Sequence, residues 1–257
     1  MEQSDWKSTV LSSPFMKIMA DNLNRSASEV DPKMTPLYQN VISHLGADRT
    51  VIDVGAGVGR FAIPLARAGV KVTAVEPSDE MRKSLLASIE KEVLSSKINV
   101  IPSSWPVHED LHAEVSFASL VIQFSHNPME FARAMERTAS RRCILSVHVD
   151  QPLGFLKDVW QAFRPSEMVP EMLTLFDLYP MFLKEDIVAD VTIIREDRPS
   201  RTMVEPDKII GLLADLLAIK NNPDKMQRLK KMLLTKKDDG LQRSFMRTAI
   251  ISWEPRN

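Results

Sequence analysis

Between positions 50 and 149 the chain alternates short apolar runs with longer stretches whose apolar residues return every three or four positions. Residues 50–54 form a short apolar run that meets three closely spaced glycines. Residues 61–68 have helical period and stop at Gly69. Residues 70–75 (VKVTAV) alternate and are β-branched, which predicts a strand. The spacing predicts a helix over 79–94, with Ser78 as N-cap and Met81, Leu85, Ile89 and Val93 on one stripe. Strands are expected at 98–101, 116–124 and 143–149, and a helix at 128–139. Such alternation implies parallel βαβ units with right-handed crossovers.

The flanks read differently. Helical pieces are expected at 15–23 and at 36–45 (PLYQNVISHL), the second ending at Gly46. After Asp150 the alternation stops. Residues 153–163 and 167–178 read as helices, 187–195 as a strand, and 205–237 as two helices broken near Asn221, Asn222 and Pro223. Residues 243–253 read as a final strand. With no repeat and no linker, residues 1–257 read as one domain. Residues 1–45 are expected to form a helical cover and 205–238 a helical insertion before the last strand.

Composition narrows the function classes. The 257 residues are 44% hydrophobic and 26% charged, enough apolar content for a substantial core. A net charge of −1 gives no electrostatic case for a nucleic-acid partner. The single cysteine, Cys143, excludes an internal disulfide and a cysteine-rich metal site, and no metal set is expected among other residues. No apolar run approaches the ~18 residues of a membrane span, and the first ten residues do not read as a signal peptide. A cytoplasmic protein is expected. Lys225, Arg228, Lys230, Lys231, Lys236 and Lys237 alternate with apolar residues, as on the solvated face of an amphipathic helix or one that meets an anionic partner.

The candidate chemistry lies in VIDVGAGVGRF, residues 51–61. Gly55 and Gly57 let the backbone turn sharply and approach a ligand, and Gly59 is expected to open a helix whose free N–H groups favour an electron-rich group. The order G-x-G-x-G differs from the dinucleotide fingerprint G-x-G-x-x-G. Asp53 ends a buried strand, where a carboxylate needs a partner such as a ligand ammonium. Glu76 directly follows the second strand, where it can accept from both hydroxyls of a ribose. Together these residues describe a pocket for a nucleoside with an amino-acid tail.

The run VIDVGAGVGRFAIPLARAGVKVTAVEPSDEM, residues 51–81, resembles the first two motifs of class I S-adenosylmethionine-dependent methyltransferases. The similarity continues more loosely through Asn99–Ile101 and the runs 116–124 and 143–149. The resemblance implies a doubly wound α/β fold: a seven-stranded, mostly parallel sheet of order 3-2-1-4-5-7-6, its last strand antiparallel, with helical additions. It implies S-adenosylmethionine as cofactor and S-adenosylhomocysteine as product. By position, Asp53, Gly55, Ala56 and Gly57 would line the methionine moiety, with Gly59 in the same loop. Glu76 would hold the ribose, and Pro77 and Met81 would flank the adenine. Ser103, Ser104 and Trp105 stand where such enzymes often place an acid against the adenine amine, and that acid is missing here. Ser119 and Leu120 would lie beside the sulfonium.

His148 and His126 follow buried strands at the end of the sheet where α/β ligands bind, so both are candidate bases, with Asp150 able to orient His148. The competing reading for each is a packed, hydrogen-bonded histidine. Tyr38, Gln123 and Tyr179 are weaker candidates, and Cys143 reads as core. The expected acceptor is a small molecule, or else a protein. Ile122–Gln123–Phe124–Ser125 stands where many amino-group methyltransferases carry Asn/Asp-Pro-Pro-Tyr, which disfavours planar nitrogens. Two rivals remain: a nicotinamide-dependent oxidoreductase, disfavoured by the glycine spacing, and a non-catalytic cofactor-binding or interaction subunit.

Overall fold

The computed structural model describes residues 31–152, 157–167, 171–197, 206–238 and 245–256. The strands, in chain order, are β1 (Thr50–Val54), β2 (Lys71–Val75), β3 (Ile98–Ile101), β4 (Ala113–Ser119), β5 (Ala139–His148), β6 (Asp190–Asp197) and β7 (Phe245–Trp253). The helices are α1 (Pro36–Ser43), α2 (Ala62–Arg67), α3 (Asp79–Lys91), α4 (Pro128–Thr138), α5 (Lys157–Phe163), α6 (Leu175–Lys184), α7 (Pro206–Leu216) and α8 (Pro223–Asp238). The strands form one sheet of order β3-β2-β1-β4-β5-β7-β6. The pairs β1–β2, β2–β3, β1–β4 and β4–β5 are parallel, and β7 runs antiparallel to both β5 and β6. This is the expected doubly wound sheet with its last strand reversed.

Both faces of the sheet are covered, so the central strands carry apolar residues on both sides. One face packs Ile52, Val54, Ala118, Leu145 and Val147 against Phe131 and Met135 of α4 and Leu178 and Phe182 of α6. The other packs Val51, Val72, Phe117 and Ile144 against Leu37 and Val41 of α1, Leu65 of α2 and Leu85 and Ile89 of α3. A third core joins Val159 and Trp160 of α5, Leu213 and Ala214 of α7 and Leu229 of α8. The end of α5 is tied to the end of α7, because Arg164 donates to the Leu217 carbonyl.

Several boundaries differ from the expected ones, for local reasons. The strand expected over 116–124 ends at Ser119, because Leu120 turns into the left-handed region at φ 55° and a 3-10 turn follows over Ile122–Phe124. The helix expected over 79–94 ends at Lys91, and Val93, at φ 56° and 84% exposed, leaves the predicted stripe. The helix expected over 167–178 starts instead at Leu175, behind a capping box in which Asp177 accepts from the Thr174 N–H, and it continues through Pro180. The final strands fall within two or three residues of expectation. The piece expected at 15–23 lies outside the described residues. α1 packs on the sheet face, and Tyr38 donates to the Pro64 carbonyl inside α2. No helix among the described residues is long and apolar enough to cross a membrane.

Candidate cofactor site

β1, β4 and β5 are parallel neighbours, with Asp53 opposite Phe117 and Phe117 opposite Ile144, so their carboxyl ends share one rim. The glycine loop leaves β1 at this rim. It is pinned to β2, because the N–H groups of Gly55 and Ala56 both donate to the Val75 carbonyl, at 2.8 and 3.1 Å. Gly55 has φ 71°, and a Cβ there would stand 2.6 Å from Val121 Cγ2. The loop therefore touches the segment after β4 directly. Gly57 has φ 59°, and a Cβ there would meet nothing within 4 Å among the described residues, which leave open space beside it.

Gly59 leads into α2: its carbonyl accepts from the Ile63 N–H at 3.0 Å. α2 starts three residues later at Ala62, and the Gly59 N–H donates to the Ala56 carbonyl. A Cβ at Gly59 would lie 2.5 Å from Leu85 Cδ1, so this glycine lets α3 pack against the loop.

Two carboxylates flank the loop. Asp53 is 2% exposed. Its carboxylate takes a hydrogen bond from the Ala62 N–H, while Oδ2 has no partner among the described residues. Burial first, then the nearby Glu76 charge, push its pKa up to about 8. Glu76 is also buried. Its Oε2 accepts from the Gly57 N–H and its Oε1 from the Ser78 N–H, each at 2.8 Å. Burial raises the Glu76 pKa against these two bonds. Arg82 donates to the Glu76 carbonyl.

The other expected residues are less uniformly placed. Met81 is buried and Pro77 exposed, beside Glu76. Ser104 is exposed, and Ser103 donates to its carbonyl. Trp105 is docked on α4, where its Nε1–H donates to the Phe131 carbonyl and its ring meets Phe131 edge-on. Ser119 and Leu120 are half-buried at the end of β4, with the Leu120 N–H donating to Ser146. His148 is buried at the end of β5, opposite Thr248 of β7. Asp150 accepts from the Arg247 guanidinium, an ion pair that the sequence does not announce. His126 is exposed beyond the 3-10 turn. Cys143 is buried and its thiol pKa raised by burial, consistent with a core role. Tyr179 donates to the Ala189 carbonyl. No cluster of three or more metal-ligating side chains occurs among the described residues.

Gln123 carries more than its sequence position suggested. It is 3% exposed, and its amide Nε2–H donates to the Leu120 carbonyl at 2.6 Å.

Residues 52–147 match the family model of the methyltransferase domain. No curated protein matches the sequence significantly. Solved structures share the fold. Magnesium protoporphyrin IX methyltransferase from Synechocystis PCC 6803, with bound SAH, is 13% identical at TM-score 0.54, covering 91% of this chain and 83% of that one. Geranyl diphosphate C-methyltransferase from Streptomyces coelicolor A3(2), in complex with Mg2+, geranyl diphosphate and S-adenosyl-L-homocysteine, is 14% identical at TM-score 0.50, covering 85% and 78%. The cyclase SpnF is 15% identical at TM-score 0.55, covering 95% and 96%. At these identities the likeness is one of fold, and one of the three catalyses a cyclisation. The chain is thus similar to the methyltransferase domain over residues 52–147, and its sheet has the strand order of the class I methyltransferase fold.

Proposed function

We propose that the protein binds S-adenosylmethionine at the glycine loop and transfers its methyl group to a small-molecule acceptor. The observation that carries this reading is Asp53: a buried carboxylate at the end of β1 with one oxygen unpartnered among the described residues. An uncompensated buried carboxylate is costly, and a ligand ammonium supplies what it lacks. The open space beside Gly57 admits the ligand, and each Glu76 oxygen keeps a lone pair for a ribose hydroxyl after accepting its backbone N–H. Pro77 and Met81 flank the adenine side, and Ser119 and Leu120 face the sulfonium side.

Bound there, S-adenosylmethionine supplies a methyl group activated by a positive sulfur. The protein's part is to hold the acceptor atom in line with that methyl at near-attack distance. His148 stands on the same rim and is the better-placed group to take the proton an acceptor loses, with His126 second. On this reading the helices that build the third core, α5, α7 and α8, serve as the cover of the acceptor side, a part such additions commonly take. Acceptors of the kinds named for the two methyltransferase neighbours, an isoprenoid diphosphate and a porphyrin, are small molecules, which favours a small molecule here as well.

The test is ligand binding. S-adenosylhomocysteine at a hundredfold over its Kd stabilises a fold by ~2.7 kcal/mol through mass action, so a clear rise in Tm is expected. Glu76→Ala should shrink that rise and also lower the Tm of the free protein, since the Gly57 and Ser78 N–H groups lose their acceptor. A rise with NAD and none with S-adenosylhomocysteine would favour the nicotinamide alternative.

A further inference from the structure

The buried side-chain atoms without a hydrogen-bond partner among the described residues include Asp53 Oδ2 and Gln123 Oε1. These two lie beside one contact. Gly55 touches Val121 across the gap between β1 and β4; Asp53 precedes Gly55 by two positions, and Gln123 follows Val121 by two. The amide of Gln123 cannot be turned to suit itself. Its Nε2–H is committed to the Leu120 carbonyl, which leaves Oε1 as a fixed acceptor. Leaving a buried acceptor unmet costs ~1–3 kcal/mol, so the arrangement asks for a donor that arrives from outside. Asp53 asks for a donor that is also a cation.

We propose that Gln123 Oε1 joins Asp53 Oδ2 in seating the ammonium group of the cofactor's amino-acid tail. An ammonium has three N–H donors, enough for a carboxylate, an amide oxygen and one further acceptor. Gln123 then has two jobs in one side chain. Its nitrogen holds Leu120 in the left-handed turn that brings Val121 onto Gly55, and its oxygen reads the tail. The inference rests on the methyl-donor reading above and adds to it a recognition residue outside the glycine loop.

Two ligands and two variants test it. S-adenosylhomocysteine carries the ammonium, and 5′-methylthioadenosine keeps the nucleoside and sulfur but lacks the tail. Gln123→Met removes donor and acceptor at similar volume; Gln123→Glu keeps an acceptor and loses the donor to Leu120. Calorimetry should show Gln123→Met weakening S-adenosylhomocysteine by about tenfold or more while methylthioadenosine changes by about twofold or less. Gln123→Glu should hold or strengthen S-adenosylhomocysteine relative to methylthioadenosine, because a carboxylate pairs with an ammonium. If both variants weaken the two ligands alike, Gln123 is only a scaffold for the turn and the proposal falls. Unchanged S-adenosylhomocysteine affinity in Gln123→Met overturns it as well. Should Gln123→Met fail to fold, as seen by its melting curve, the ratio of the two affinities in Gln123→Glu decides alone. A wild-type protein that binds neither ligand overturns the methyl-donor reading itself, and this inference with it.

Discussion

Asp53 sits where two demands conflict. Its backbone lies near the end of β1, paired to both β2 and β4, and such a position between two strands is dry by construction. Its side chain is ionisable, and with Glu76 nearby the charged form is held off until about pH 8. In an unfolded chain the same group ionises near ~3.9. Between these values the native protein holds a proton that the unfolded chain does not, so stability falls as pH rises through that window and levels off above it. Glu76, raised in the same direction, adds to the slope. Asp53→Asn removes the Asp53 share. Thermal melts from pH 5 to pH 8 should therefore show a larger fall for wild type than for Asp53→Asn, by a few kcal/mol at most on an order-of-magnitude scale. A ligand ammonium favours the carboxylate, so wild type should release a proton on binding S-adenosylhomocysteine at pH 7. Calorimetry in buffers of different ionisation enthalpy reads that proton. Parallel melting curves for the two proteins would mean that Asp53 ionises normally.

At the scale of elements, the glycine loop and the turn after β4 act as one part. The loop was legible because its signals are local: an acid, three glycines and a strand before them. The turn was not. Residues 116–124 read as one apolar run, and periodicity alone cannot show where such a run stops being a strand. What ends β4 is the left-handed conformation of Leu120, held by a side chain three residues later, with the next residue, Val121, against Gly55 of the loop after β1. No window of sequence contains that information. The same limit explains Gly59, whose partner is Leu85 on α3, and Asp150, whose partner is Arg247 on β7. The capping box at Thr174 and Asp177, by contrast, was readable and marks the true start of α6. Two glycine variants separate packing from ligand space. Gly55→Ala meets both a positive φ and the Val121 side chain, so it should lower Tm substantially. Gly57→Ala meets only the positive φ, a cost of about 1–2 kcal/mol, but its methyl enters the space left for the ligand. It should weaken S-adenosylhomocysteine more than it weakens the fold. Melting curves and titrations on both variants check this, and equal stability losses would argue against open space at Gly57.

At the scale of the whole molecule, the alternation of strands and helices over 50–149 led to the parallel half of the sheet, because each βαβ unit repeats one rule of handedness and burial. The reversed strand and its place between β5 and β6 came from family resemblance, since nothing in an apolar strand states its direction. The helices beyond Asp150 built something the pattern did not show: α5, α7 and α8 share a core separate from both sheet faces. Two cores serve the sheet and one serves the helices, which predicts unequal stability across the chain. Leu229 is fully buried at the centre of the helical core. Leu229→Ala removes three carbons from it, a loss of about 2–5 kcal/mol in a packed site. If that core can open by itself, amide exchange should speed up in α5, α7 and α8 while β1, β2 and β4 keep their protection. S-adenosylhomocysteine affinity should then stay within about threefold of wild type, since the glycine loop, Asp53 and Glu76 all belong to the sheet. If these helices cover the acceptor side as proposed, methyl transfer to an acceptor found by screening should fall by more than that. Faster exchange through the sheet as well would show a single cooperative unit. Undiminished turnover with the helical core open would place the acceptor site elsewhere on the rim.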